Sequence, residues 1–242
     1  MSLNVFQWLI SEELRQMDSY LDLLHTAIKD NEEQLEASIE KHASTLSVEE
    51  REKFYETKFF AEFFGITADV PRLFFSSFVV SWYSFVEVNL VGFCENRKLK
   101  ISISIRDNEN YGDGIRRAYN FLNRAAGYQI DNAHWQELTR IGKTRNKIIH
   151  NNGILPFSFS STFNNTIPVK INEDETIHVQ MEADLYQYLQ AHNLLEYRGL
   201  FQITPTFKYC KYLVNFGFEF FGKLYKDFSE EMKYNNQGSD GG

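Results

Sequence analysis

The chain has 242 residues, of which 43% are hydrophobic and 24% charged, with only 4 prolines and 13 glycines. That composition supports a globular core and excludes disordered, collagenous and low-complexity classes. Charged residues also interrupt every apolar run short of about 18–20 residues, which argues against a multipass membrane protein. The longest such run, Val70 to Cys94, holds Arg72 and Glu87.

Other global features narrow the setting. Met1-Ser2-Leu3-Asn4-Val5 offers no basic region ahead of an apolar stretch, so no secretory signal is expected. The two cysteines, Cys94 and Cys210, make neither a disulfide framework nor a metal site, and a reducing cytoplasm is the expected compartment. The net charge of -8 opposes general nucleic-acid coating. Its distribution is uneven, however: Met1–Cys94 carries -9, Glu95–Lys147 carries +5 and Ile148–Gly242 carries -4. The middle segment is either a solvated basic face or a surface that meets phosphate.

In chain order, Phe6, Ile10, Leu14, Met17, Leu21, Leu24 and Ile28 recur at steps of three or four and predict an amphipathic helix. A second, polar helix is expected over Glu32 to Ala43. Ser47 followed by Glu50 is a capping-box pattern opening a third helix to about Phe64, ended by Gly65. Asp69-Val70-Pro71 then reads as an N-cap with proline in the first turn, leading a long helix to about Glu95. Its apolar positions, Leu73, Phe74, Phe78, Trp82, Phe85, Val86, Leu90 and Phe93, crowd more than one face, as expected of a central helix.

Gly112-Asp113-Gly114 breaks the chain before a helix over Ile115 to Ala126, closed by Gly127. The next helix starts near Asp131 and stops at Asn151-Asn152-Gly153, a left-handed C-cap pattern. Beyond a Ser/Phe/Asn loop, Val169–Ile171 and Ile177–Val179 predict a small β-hairpin. Helix returns over Glu182 to Leu195, and Thr204-Pro205 caps a last helix to about Tyr234. The expected class is all-α, a helical bundle with a minor hairpin insertion near 167–180. Residues 1–65 are expected to form an N-terminal helical extension, 66–234 the main helical domain, and 235–242 a disordered tail.

No Gly-rich phosphate loop, His-Glu-x-x-His zinc helix or nucleophile elbow is present, and the six histidines lack metal-ligand spacing. Neither a metal nor a cofactor is expected, and the many Phe and Tyr residues read as core or dimer surface. One string stands out inside the basic segment: Arg145-Asn146-Lys147-Ile148-Ile149-His150-Asn151-Asn152-Gly153. Asn146 and His150 are four apart on one helix face, and Arg145 reaches over the same edge. Ile148 and Ile149 are expected to anchor the helix in the core. An Arg followed five positions later by His arises roughly 0.3 times by chance at this composition, so spacing alone decides little. A histidine bonding free carbonyls in a final helical turn explains it equally well.

In context the string resembles the HEPN superfamily, the α-helical domains of many metal-independent ribonucleases. Their signature is Arg, then four to six residues, then His, often with Asn directly after Arg; Arg145, Asn146 and His150 match it. The resemblance covers about Pro71 to Gly153. It implies an earlier antiparallel helix bearing an acidic or polar residue that faces the motif, for which Glu87 is the best match.

It further implies a homodimer with two motif copies lining one cleft, and internal cleavage of single-stranded RNA by 2'-hydroxyl attack. The products would be a 2',3'-cyclic phosphate and a 5'-hydroxyl. His150 would transfer protons, Arg145 would hold the phosphate and Asn146 would orient phosphate or imidazole. Arg140, Lys143, Lys147 and Asn151 would guide the RNA backbone. A toxin or antiviral defence role, with an antitoxin or other regulatory protein as partner, is the implied setting. The alternative is a HEPN module that binds RNA, nucleotide or a protein partner without cutting it.

Overall fold

In the computed structural model, which describes residues 3–56, 63, 65–96, 114–124, 127–159, 166–172 and 175–237, the N-terminal apolar stripe forms one helix, α1 (Leu3–Ala43). The polar second helix expected from Glu32 is its continuation. No glycine or proline lies between Ile28 and Glu32 to break it. Ile10, Leu14, Leu21 and Ile28 are buried, while Phe6, Met17 and Leu24 pack half-buried at the edge of the same core.

Helix α2 (Val48–Phe54) has the expected capping box. The Ser47 N–H donates to the Glu50 carboxylate at 3.0 Å, and the Glu50 N–H donates to the Ser47 hydroxyl at 3.4 Å. The expected extension of this helix over 57–62 lies outside the described residues. Gly65–Asp69 forms a π-helical turn that runs straight into α3 (Val70–Asn96), so Asp69 is not a free N-cap. Pro71 has no N–H to give to a carbonyl of the preceding turn, and the widened turn falls where that donor is missing.

Helix α3 is central, as its composition predicts. It packs against α4 (Gly114–Arg124), α5 (Asn132–Asn151) and α7 (Phe207–Gln237). Val79, Trp82, Val86 and Leu90 are fully buried. Leu73 and Phe74, expected in the core, are 51% and 41% exposed, because the stripe they share with Val70 and Val88 has no covering element among the described residues. The helical stretch Thr67–Glu95 is long and apolar enough to cross a membrane, with a mean hydropathy of 1.3, and here it occupies the middle of the bundle.

Helix α1 lies antiparallel along α7. Phe6 meets Tyr225, Lys211 pairs with Asp22 at 3.1 Å, and His25 stacks on Phe207. Residues 1–65, set apart by sequence, thus share one hydrophobic core with the rest through α1.

The expected hairpin is real and belongs to a wider sheet. Strands β1 (Phe157–Ser158), β2 (Thr166–Lys170) and β3 (Thr176–Gln180) form an antiparallel sheet in the order β1-β3-β2, with Val169 opposite Ile177. Helix α6 (Ala183–Ala191) stops four residues before the expected Leu195, where Asn193 takes a positive φ of 53°. The chain then forms a second hairpin that the sequence reading missed, β4 (Leu195–Tyr197) and β5 (Phe201–Ile203). Gly199, at φ 75°, supplies its turn.

The last helix is capped by Thr206 rather than Thr204. The Thr206 hydroxyl accepts from the Tyr209 N–H at 3.2 Å, while Thr204 donates to Glu196 at 3.1 Å. Residues 235–237, expected in the tail, are helical, and 238–242 lie outside the described residues.

The tightest crossing of α1, α3 and α7 is at Gly217. A Cβ there would lie 2.9 Å from a Leu14 methyl carbon and 3.4 Å from Trp82 Nε1. Gly217→Val should lower stability by about 1–3 kcal/mol through overpacking, read as a lower urea midpoint at unchanged slope.

Candidate functional site

The motif lies on the last two turns of α5, and both ends of that helix are tied down. At its start the Asp131 carboxylate accepts from the Ala133 N–H at 2.9 Å. This bonding holds its carboxyl below the usual range, led by the His134 backbone N–H. At its end Asn152 is left-handed with φ 51°, and the Asn152 and Gly153 N–H groups both return to the Lys147 carbonyl. The expected C-cap pattern is therefore present.

Strand β5 then clasps this end. Ile203 N–H donates to the Gly153 carbonyl and Leu155 N–H donates to the Phe201 carbonyl, both at 2.8 Å. Gly153 has φ 76°, and a Cβ there would sit 2.9 Å from the Ile203 carbonyl oxygen. The missed hairpin thus fixes where the motif helix stops.

Arg145 leaves α5 toward α3. Its guanidinium carbon lies 5.8 Å from the centre of the Tyr83 ring, and its Nη1 donates to the Asn146 side-chain oxygen at 2.9 Å. Its Nε is buried and has no hydrogen-bond partner. This contact depends on Gly142, one turn earlier. A Cβ at 142 would lie 2.6 Å from the Tyr83 hydroxyl oxygen, so only glycine lets the Tyr83 ring slide beneath α5.

Glu87 is one turn along α3 from Tyr83, beside the start of α4, where a Cβ on Gly114 would approach its Oε1 to 3.3 Å. Glu87 and Arg145 form no ion pair; Tyr83 is the group that both influence. Burial pushes the Tyr83 phenol up to about 12, Glu87 adds to the rise and Arg145 opposes it. Sequence reasoning overlooked Tyr83. The available signal was its position four residues before Glu87 on one face of a helix packed against the motif.

Asn146, His150 and Asn151 are exposed, and His150 makes no hydrogen bond to any described residue. Ile148 is buried, but Ile149, expected beside it in the core, is 44% exposed. The two are 100° apart on the helix, and only Ile148 faces inward. Arg145 and Asn146 are thus joined by a hydrogen bond, while His150 stands free on the same exposed end of α5.

The expected backbone-guiding residues divide. Lys147 is partly exposed with no ion pair among the described residues. Arg140 lies 3.8 Å from Glu137. Lys143 is committed elsewhere: it pairs with Glu182, and lies 3.5 Å from Asp184. Hydrogen bonding to Glu182 raises its pKa, ahead of smaller opposing and supporting effects. It is therefore not a free cation. Arg116 and Arg124 are exposed on α4, and Arg97, Lys98, Lys100 and Arg106 lie outside the described residues.

No known protein family, curated protein or solved structure matches this chain.

Gly153→Ala should cost about 1–3 kcal/mol in urea denaturation, since it combines a strained φ with a clash against backbone. The electrostatic triangle gives a signed result by NMR titration of labelled tyrosine. Glu87→Gln should bring the Tyr83 pKa down from about 12, and Arg145→Gln should send it higher. Because the folded value exceeds the unfolded value, stability contributed by neutral Tyr83 is full below about pH 10 and lost as pH rises through 12.

Proposed function

We propose that this chain is a HEPN-type, metal-independent endoribonuclease that cuts single-stranded RNA as a homodimer in a reducing cytoplasm. The observation that carries the reading is the pairing of a partly buried arginine with an exposed asparagine and a free histidine at one helix end. Arg145 is held by Tyr83 and Asn146 without a carboxylate partner among the described residues, which leaves its charge to a phosphate oxygen. His150 is exposed at the same helix end, and an imidazole can both take and give a proton.

In the proposed reaction, His150 takes the proton from the ribose 2'-hydroxyl as its oxygen bonds to phosphorus. The bond from phosphorus to the 5'-oxygen breaks, and the leaving oxygen receives a proton from the imidazole of the second protomer. Arg145 stabilises the charge that grows on the non-bridging oxygens, and the Asn146 amide N–H groups orient the same phosphate. DNA lacks the nucleophile and should be inert.

A second copy is supported by apolar side chains left uncovered on α3 and α5, namely Val70, Leu73, Phe74, Val88 and Ile149. The compartment is supported by Cys94 and Cys210, both unpaired and buried, with burial pushing both thiols up. A toxin or antiviral role, opposed by an antitoxin or other regulatory protein, suits such an activity.

The test is cleavage of 5'-labelled single-stranded RNA and matched DNA in EDTA. Wild type should cut only RNA and leave cyclic-phosphate ends. His150→Ala and Arg145→Gln should each lower the rate by at least about 100-fold at unchanged melting temperature and dimer mass. RNA binding without cutting by a folded, dimeric wild type would assign the chain to the non-catalytic binding alternative.

A further inference from the structure

A second arginine with an orphaned donor lies far along α3 from the motif. Arg72, in the first turn of α3, has a side chain only 14% exposed, and its Nε is buried with no hydrogen-bond partner. Its nearest anion, Asp69, is 3.8 Å away, beyond hydrogen-bond reach, and 64% exposed to water. A guanidinium carries five N–H donors and keeps its charge at any physiological pH. Withdrawing it from water without a bonded partner is unfavourable unless something else completes it.

Arg72 opens onto a cavity of about 460 Å³ between α1, the start of α3 and the β4–β5 hairpin. That volume is in the range of small-molecule sites, about 300–1,000 Å³. Lys29 lines the same cavity from α1, is exposed, and has no ion-pair partner among the described residues. Two carboxylates also line it. Glu196 is already occupied, accepting from Arg198 Nε at 2.6 Å and from the Thr204 hydroxyl at 3.1 Å. Glu32 is the remaining acid of the wall; Arg72 has only the long, water-exposed ion pair to Asp69 at 3.8 Å, and Lys29 has none among the described residues. The cavity is also lined by apolar and aromatic groups: Pro71, Phe75 and the Phe207 ring, on which His25 stacks at 3.9 Å.

We propose that this cavity binds a phosphate group carried on a small organic molecule. The phosphate would accept from the Arg72 guanidinium at the cavity wall and face Lys29, while the organic body lies against Phe75 and Phe207. Two cations at one wall, neither hydrogen-bonded to a carboxylate among the described residues, favour a dianionic phosphomonoester over a carboxylate, which brings a single charge. The site is separate from the Arg145–His150 end of α5 and does not depend on the ribonuclease reading.

The test uses the full chain and isothermal titration calorimetry with three probes: AMP, inorganic phosphate and adenosine. AMP should bind, adenosine should not, and phosphate should bind more weakly than AMP. Arg72→Gln and the exposed Lys29→Gln should each weaken AMP binding about tenfold or more, whereas Arg15→Gln, exposed on α1 and outside both sites, should leave it unchanged. Lys29→Gln keeps the test valid if Arg72→Gln does not fold. Equal affinity for phosphate and AMP would support the anion site and name free phosphate as its ligand. Any one of three results overturns the proposal: no binding of AMP or phosphate to folded wild type, adenosine binding as tightly as AMP, or loss of AMP binding on Arg15→Gln with none on Lys29→Gln.

Discussion

The Tyr83 hydroxyl occupies the space that a side chain at position 142 would need. That single close approach sets how α5 lies on α3, and the candidate site follows from it. With the ring beneath Gly142, its face is presented one turn later to the Arg145 guanidinium. The arginine is thereby held on a rigid aromatic platform instead of on a carboxylate. An ion pair with Glu87 would have neutralised it. Contact with an aromatic face orients the cation and leaves its charge available to an incoming anion.

The far end of α5 needs a different restraint, because helix ends fray and His150 is in the final turn. Strand β5 supplies it through two backbone bonds that flank Gly153. The arrangement works only because Asn152 and Gly153 accept left-handed backbone and because no Cβ stands between Gly153 and the Ile203 carbonyl. The same hairpin forms one wall of the cavity beside Arg72. One small β element therefore ties down the end of α5 and also walls the cavity at the start of α3.

How much of this was legible in the sequence follows from the range of the forces involved. Periodicity located α1, α3, α5 and α7, since burying one apolar face is a local pattern repeated over many residues. The capping box at Ser47 and the left-handed stop at Asn152 were legible for the same reason: each is satisfied within a few residues. What failed depended on contacts between distant segments. Leu73, Phe74 and Ile149 were assigned to the core by residue type, yet which side of a strongly apolar helix is covered is decided by its neighbours. The β4–β5 hairpin is three residues a side and bound through Ile203 and Phe201 to the α5 terminus, so it has little local signature. In the candidate site, Arg145, Asn146 and His150 were singled out by their string and its resemblance, but Tyr83 was not, and Lys143 was counted as free although Glu182 and Asp184 claim it from the start of α6.

The two arginines also explain how an acidic chain can still present anion-binding positions. A surface lysine in water loses little by pairing with a passing carboxylate, and Lys143 and Lys211 have done so. Arg145 is set over the Tyr83 ring, and Arg72 lines a cavity with Pro71 and Phe75 and has only a long ion pair to Asp69. Each keeps a buried Nε–H without an acceptor. In a protein of net charge -8 the long-range field repels nucleic acid and free phosphate alike. Attraction must then come from short-range, directional donors in poorly hydrated settings, where a hydrogen bond to an oxyanion gains more than it would at an open surface. Selectivity follows from the same arrangement, because an anion that cannot reach the recessed donor meets only the repulsion.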